Sequence, residues 1–474
     1  MSVRFDIAVV GAGVVGAAIA RDLSRYELRV ALIEANPDFG DESSKGNSAL
    51  MTEGHDTPAG TLERDLVVRG YQRYMAEAPT LGLPMRRTGA LMLAWTDEQR
   101  ATVEHVVEEA HADGFPRLSL MEGEEVLRRW PQFRPGVLAA AYMPDEVIAD
   151  PFSTPYAYVL DAVTNGVIFL RPWRVSRAER LADGWRLANP QGETIEARLV
   201  INAGGLRADI VEGLAGYADF RMKPRRGQYI LLDKPARAIH DIIAYPTPTP
   251  TTRGILIAPT IFGNVLVGPT AEEVEDRDDR SVTEDGLAAL KRAIDEMVPV
   301  LRDMPVNTIY AGMRPATDHS EYQIIPRFAE NWLTVAGIRS TGFSGALGIA
   351  EYVMSLVFPV VFDLKPTKPL RGVTVPDLAE TSLRPWADAD RIAADPAYAE
   401  MICHCERISV GEVRDALASP VPPASIKALK RRTRAMFGRC QGFYCGARVQ
   451  AMFDAAQAER SGCEAAACGD RRDA

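Results

Sequence analysis

The sequence predicts an α/β fold that opens with a Rossmann-like βαβ unit and carries a small cysteine-bearing module at its far end. Three observations lead there. The stretch "DIAVVGAGVVGAAIA" sets a G-x-G-x-x-G turn between an apolar strand and a helix. Strand-like runs separated by glycine turns recur between residues 166 and 337. Four of the chain's six cysteines crowd into "CHCERISV" and "GRCQGFYC".

Taken in order, residues 5–10 read as a buried strand, followed by the glycine turn, a helix, and a second strand, "LRVALIEA". Residues 76–150 are irregular and mixed. "GVIFL", "GWRLAN" and "ARLVINAGG" read as further strands, the last ending in a glycine turn. Residues 222–325 alternate strands and turns, and the acidic run "EEVEDRDDR" reads as a solvated loop. "WLTVAG" is a last strand and "GALGIAEYVMSLV" an apolar helix. Proline and charge at 366–400 suggest a linker before the cysteine module at 401–457. Residues 458–474, with Cys463 and Cys468, read as a flexible tail to which no role is given.

At 474 residues the chain exceeds a single core, so two or three folding units are expected. A net charge of −10 argues against nucleic acid or anionic lipid as a general partner. The longest apolar stretch, "YVMSLVFPVVF", is shorter than the ~18 residues of a membrane span. Too little chain precedes the first strand for a secretory signal. The expected location is therefore the cytoplasm, with peripheral association at the inner face of a membrane left open. Thiols there are reduced, so clustered cysteines favour metal ligation over disulfides.

Gly11 permits the tight turn, Gly13 lets a pyrophosphate approach the helix N-terminus, and Gly16 lets helix and strand pack closely. Glu34 closes the second strand, where a carboxylate accepts the hydroxyls of an adenosine ribose. An acid at that point disfavours a 2′-phosphate, which leaves FAD or NAD. Together with "SSKGNSA", "DTPAGTLERDLVVRG", "VINAGG", "RRGQYILLD", "YAGMRP" and "VAGIRSTGFSGALGIAEYV", these motifs resemble the D-amino-acid-oxidase superfamily of FAD enzymes. Within it the chain is most similar to the glycerol-3-phosphate dehydrogenase and L-2-hydroxyglutarate dehydrogenase branch.

The resemblance implies an FAD-binding Rossmann-like part (about 1–75, 150–220 and 326–365) interleaved with a mixed-sheet α+β substrate part (about 76–149 and 221–325). It implies FAD contacts at Gly11, Gly13, Val14, Val15, Gly16, Glu34 and Ala35, and at Ser44, Asn47 and Ser48 of the flavin loop. Val175, Ala203, Gly204, Gly337 and Gly342 complete the implied set. It also makes Arg314 of "GMRP" the anchor for an acidic substrate group, with Arg339 of "AGIRS" lining the same site. A guanidinium fork suits a carboxylate or phosphate bidentately.

One departure is informative. The hydroxy-acid and glycerophosphate branches place a histidine where this chain has Thr52, and threonine is no base at neutral pH. His55 and His319 are the histidines placed to substitute. An amine substrate would need less help, because it can lose its proton before hydride transfer.

Cys403 and Cys405 sit two apart, so on extended chain both point to one side. Cys440 and Cys445 bracket "QGFY". Converging thiolates suit a metal or a cluster, zinc included. The stretch closely resembles the bacterioferritin-associated-ferredoxin-like [2Fe-2S] domain, which makes these four cysteines the cluster ligands. Ser409 and Glu412 form a capping box, and Lys427, Lys430, Arg431, Arg432 and Arg434 would offset the cluster's negative charge.

The expected protein is an FAD-dependent dehydrogenase of a small anionic alcohol, glycerol 3-phosphate or a 2-hydroxy acid. Its cluster would hand electrons to a quinone, a carrier protein or a partner subunit, with an oligomer or hetero-complex open. The alternatives are an amine or opine-type dehydrogenase or oxidase, and a non-catalytic FAD and iron–sulfur subunit of a larger complex.

Overall fold

The computed structural model describes residues 3–249, 253–362, 369–380 and 382–469. The chain divides into two units between Ala379 and Glu380. In the first, an eight-stranded sheet is centred on Val3–Val10, which pairs in parallel with Val30–Ile33 and Thr194–Asn202. Ile168–Leu170 extends one side. On the other, Trp332–Ala336 pairs in parallel with the end of Thr194–Asn202. All four residues of Val30–Ile33 are buried, as an apolar run covered on both faces must be.

One face of this sheet packs Phe5, Ala8, Val10, Trp185 and Trp332 into an aromatic-rich core. The helix Val14–Leu23 packs between Ser153–Thr164 and Gly342–Val357, and Leu62–Leu81 packs on the latter. These last two helices touch backbone to backbone. A Cβ on Gly70 would stand 2.2 Å from the Ser344 carbonyl oxygen, and one on Gly348 would stand 2.0 Å from that of Leu66.

A nine-stranded mixed sheet is built from chain that interrupts the first: Ala90–Ala94, Ser119–Glu122 and Ala139–Met143, then Arg225–Leu232 through Glu272–Glu273, then Val306–Arg314. The helix Glu284–Met297 buries Leu290, Ile294 and Met297 against Ile230, Val265 and Val267. Asp97–Ala112 buries Val103 and Val107 against Ala90, Ala141 and Met143. A three-stranded sheet of Leu50–Met51, Val147–Ala149 and Met85–Arg87 lies in the same unit. The interleaved two-part architecture is thus present.

The acidic run is the largely exposed loop its composition implies, and several of its charges are tied by ion pairs. Glu272 binds Arg226 (2.8 Å), Arg277 binds Asp209 (2.7 Å), Asp278 binds Arg207 (2.6 Å) and Arg280 binds Glu42. The expected linker at 366–400 is divided between the units. The Val375 N–H donates to the Leu81 carbonyl (2.9 Å), and Leu378 and Ala379 enter the core beside Val103. Beyond the boundary, Arg384 pairs with Glu412 and Arg414 with Asp395 (2.6 Å) in the second unit.

The second unit is a short hairpin, Met401–Cys403 with Ile408–Ser409, and the helices Val410–Leu417, Ile426–Thr433 and Gly446–Gly469. Ser409 and Glu412 form the full capping box. Ile402, Ile408, Val413, Leu429, Val449 and Phe453 make the core. The last helix carries the chain through most of the stretch read as a tail, and residues 470–474 lie outside the described residues. Among the described residues no helix is long and apolar enough to cross a membrane.

Candidate active site and cysteine centre

The glycine turn is closed from three directions. Gly11 has φ +104°, and a Cβ there would sit 2.4 Å from the Ala203 carbonyl oxygen. A Cβ on Gly16 would sit 1.9 Å from the Gly11 carbonyl oxygen. Only glycine fits either place. Gly13 begins the helix with no side chain of its own, and Ser44 Oγ lies over the first turn, accepting from the Val14 N–H (2.9 Å). Gly342 lies beside Val15 and opens the helix Gly342–Val357. Val14, Val15, Ser44, Ala203, Gly204 and Gly342 therefore gather round one helix N-terminus, as a pyrophosphate site requires.

Glu34 is buried, and burial pushes its carboxyl above the ordinary range. Its two oxygens accept from the N–H groups of Ala12 (3.0 Å) and Asn36 (2.8 Å), flanking Ala35. A carboxylate so held keeps lone pairs for two ribose hydroxyls. Asn47 Nδ2 donates to the Ser44 carbonyl (2.7 Å) and its Oδ1 accepts from the Ala49 N–H (2.7 Å), which shapes the loop that includes Ser48. Val175 packs at the edge of the Trp173 core. Gly337 adopts φ +67° at the turn after Trp332–Ala336. These residues fit FAD: the turn at Gly11 and Gly16 admits no Cβ, and Glu34 stands where it could accept ribose hydroxyls.

The substrate side is one face of two paired strands. Arg225, Gly227 and Tyr229 lie directly across from Arg314, Gly312 and Tyr310. Tyr229 and Tyr310 stack at 4.7 Å, and the Tyr310 hydroxyl donates to the Asn47 carbonyl (3.1 Å). A Cβ on Gly312 would stand 1.7 Å from the Gly46 carbonyl oxygen. This face therefore abuts the Gly46–Asn47 loop. Arg314 lies over Gly227, where a Cβ would be 3.0 Å from Nη2. Its Nη2 donates to the Thr270 carbonyl (3.2 Å), while Nη1 is buried with no acceptor among the described residues. Burial lowers its pKa, the nearby Tyr229 opposes this, and Arg225 lowers it further. Arg339 is placed differently. It has φ +50°, and its Nη1 donates to the Ser320 carbonyl (2.5 Å), so its guanidinium is already engaged.

Thr52 binds the helix Gly342–Val357 through its backbone, its N–H donating to Ser344 Oγ (3.1 Å). Its hydroxyl donates to Asp56 Oδ1 (3.3 Å), and its contact with Glu146 only partly opposes the rise in that acid's pKa. Glu146 is fully buried, and burial raises its pKa well above the ordinary range. His55 Nδ1 lies 3.6 Å from Glu146 Oε1 and 3.9 Å from Glu53 Oε1. Burial keeps His55 neutral and lifts Glu53 to about 7, with Asp145 adding to the rise. None of those three atoms has a hydrogen-bond partner among the described residues. His319 is exposed, its Nε2 3.1 Å from the Asp219 carbonyl. Glu146 was invisible to sequence reasoning, since nothing local links it to Thr52.

In the second unit the cysteines pair: the Cys403 and Cys445 thiols contact one another, as do those of Cys405 and Cys440. Among the described residues no three metal-ligating side chains converge on one point. The pairs also feel one another, Cys405 the Cys403 thiol and Cys445 the Cys440 thiol, so all four could ligate one [2Fe-2S] cluster. Cys440 receives N–H groups from Tyr444, Gly442 and Phe443, which lower its pKa. Burial and the Cys403 thiol push Cys445 up to about 12, so only a cation would hold it as thiolate. Gly438 admits no Cβ, which would lie 2.3 Å from that of Cys405. Of the basic residues, Arg434 is committed to Glu406 (3.0 Å) and Arg432 to the Val421 carbonyl; the field of Lys430 reaches Cys445.

The FAD-dependent oxidoreductase (DAO) family model matches residues 6–356, and the BFD-like [2Fe-2S] binding domain matches residues 401–455. A glycerol 3-phosphate dehydrogenase from Caloramator mitchellensis is 32% identical over 94% of this chain and 93% of its own length. One component chain of the anaerobic glycerol-3-phosphate dehydrogenase of Escherichia coli K12 is 25% identical over 94% of this chain and 87% of its own. The fold is shared with dithionite-reduced L-α-glycerophosphate oxidase from Mycoplasma pneumoniae with FAD bound. That structure superposes with a TM-score of 0.72 at 24% identity, over 79% of this chain and 99% of the other. The chain belongs to the FAD-dependent oxidoreductase family, with a BFD-like [2Fe-2S] domain as its C-terminal unit.

Proposed function

We propose that this enzyme is a dehydrogenase of small anionic alcohols, with glycerol 3-phosphate or a 2-hydroxy acid as substrate. The observation that carries the reading is Arg314, a buried guanidinium with an unfilled donor on the sheet face that abuts the Gly46–Asn47 loop. Its fork would hold the acidic group of the substrate and so fix the carbinol carbon relative to that loop. Bound FAD supplies a two-electron hydride acceptor, and a [2Fe-2S] cluster passes electrons singly.

The hydroxyl proton has a destination in the chain even though Thr52 replaces the expected histidine. Thr52 touches Glu146, and His55, held neutral, keeps Nδ1 open beside Glu146 and Glu53. In this reading Glu53 and the neutral His55 take the proton, with Thr52 and the protonated Glu146 as their link to the pocket. Arg339, engaged by the Ser320 carbonyl, would have to release that bond to reach the substrate. The electron acceptor, at a cytoplasmic location, is a quinone, a carrier protein or a partner subunit.

Flavin absorption, followed while an anaerobic substrate panel is added, tests this. Glycerol 3-phosphate or a 2-hydroxy acid should bleach the flavin within turnover time. Bleaching only by secondary amines would favour the amine reading, which Thr52 supports. Bleaching by no member would favour a non-catalytic role.

A further inference from the structure

We infer that Arg225 is a second anion anchor beside Arg314, and that the pair makes the pocket selective for a tetrahedral, doubly charged oxyanion, the phosphate of a monoester. This rests on the proposed reading of the site and narrows its substrate class.

Arg225 and Arg314 are direct cross-strand partners, so their side chains share one face. Like charges so placed repel, and a fold tolerates them when something neutralises both. Among the described residues nothing does. Arg225 Nε and Arg314 Nη1 are buried without an acceptor, and the one side-chain bond of Arg314 goes to a neutral carbonyl. Glu273, the neighbour of Arg225 on its other side, is exposed and forms no ion pair with it. The contrast with Arg226 is instructive. One residue along and on the opposite face, Arg226 is held by both Glu272 (2.8 Å) and Asp279 (2.6 Å). Acids are therefore in reach of this strand, and they neutralise the cation that faces away from Gly46.

The stoichiometry of donors then points to the ligand. One guanidinium fork satisfies both oxygens of a carboxylate. A second fork needs further oxygens and a second negative charge. A phosphate monoester has three terminal oxygens and is close to doubly charged at neutral pH. The stacked Tyr229–Tyr310 pair forms part of the same face and lies next to the arginines, where a short carbon chain would rest.

The test uses the holoprotein and four probes: inorganic phosphate, sulfate, acetate and malonate, each followed by flavin absorption and melting temperature. Phosphate and sulfate should bind at least about tenfold more tightly than acetate. Arg225→Gln should lose that preference while keeping its flavin spectrum. Without any anion it should melt no lower than wild type, because a half-buried cation facing Arg314 without a counter-charge has been removed. If Arg225→Gln fails to retain flavin, Arg225→Lys takes its place, and it should weaken phosphate more than acetate.

Equal binding of acetate and phosphate, stronger binding of malonate than phosphate, or an unchanged preference in the Arg225 variant would overturn the inference. A panel in which no alcohol bleaches flavin, with Arg225-dependent phosphate binding intact, would overturn the oxidation reading alone.

Discussion

Replacing Arg314 with lysine keeps the charge and removes the fork. We expect Arg314→Lys to raise KM about tenfold or more and to slow turnover while FAD stays bound, since the residue lies on the substrate sheet. Steady-state kinetics beside flavin content checks this. Glu53 gives a pH prediction. Its folded pKa of about 7 lies above the ordinary carboxyl value, so its contribution to stability is present at low pH and lost as pH rises through 7. Glu53→Gln should therefore raise the melting temperature at about pH 8, modestly because the side chain is partly exposed, with the difference shrinking near pH 5. An offset equal at both pH values would show that titration is not its cause. At this scale the glycines, Arg314 and the four cysteines were legible because each belongs to a short contiguous motif. Arg339 was legible as a residue but not in its contacts, and Glu146 and Tyr310 take their places only when distant strands meet.

The two glycine-bearing helices show what a linear reading of elements leaves out. The apolar run of Gly342–Val357 was plain, but its backbone contact with Leu62–Leu81 through Gly70 and Gly348 was not. Gly348→Ala forces a Cβ against the Leu66 carbonyl, with helix backbone on both sides unable to give way. We expect a loss of about 1–3 kcal/mol, seen as a melting temperature lower by several degrees, and weaker flavin retention. A variant as stable as wild type would mean that the helices separate easily. The stretch 366–400 was misread because composition reports proline and charge but not partners. Arg384, Asp395 and Arg414 look solvated in sequence and are paired in the fold.

Taken whole, the molecule joins a two-electron centre to a one-electron centre in a single chain. If the second unit drains the first, Cys440→Ser should leave substrate-driven flavin bleaching nearly intact and cut reduction of the natural acceptor at least about tenfold. A small dye that reaches the flavin directly should restore turnover. Stopped-flow bleaching beside steady-state acceptor reduction separates the two steps. Wild-type acceptor reduction by a folded variant without cluster would sink the relay. Iron and sulfide, with no zinc, should be found in anaerobically purified wild type. The interleaving of the two sheets also bears on how the enzyme is made. Val3–Val10 and the glycine turn leave the ribosome first, yet their neighbours Ala203 and Gly342 and the sheet strand Trp332–Ala336 emerge only after most of the first unit has been translated. At ordinary elongation rates that delay is on the order of tens of seconds. Throughout it the nascent βαβ unit has no finished cradle, so cofactor capture waits until the first unit is almost fully translated.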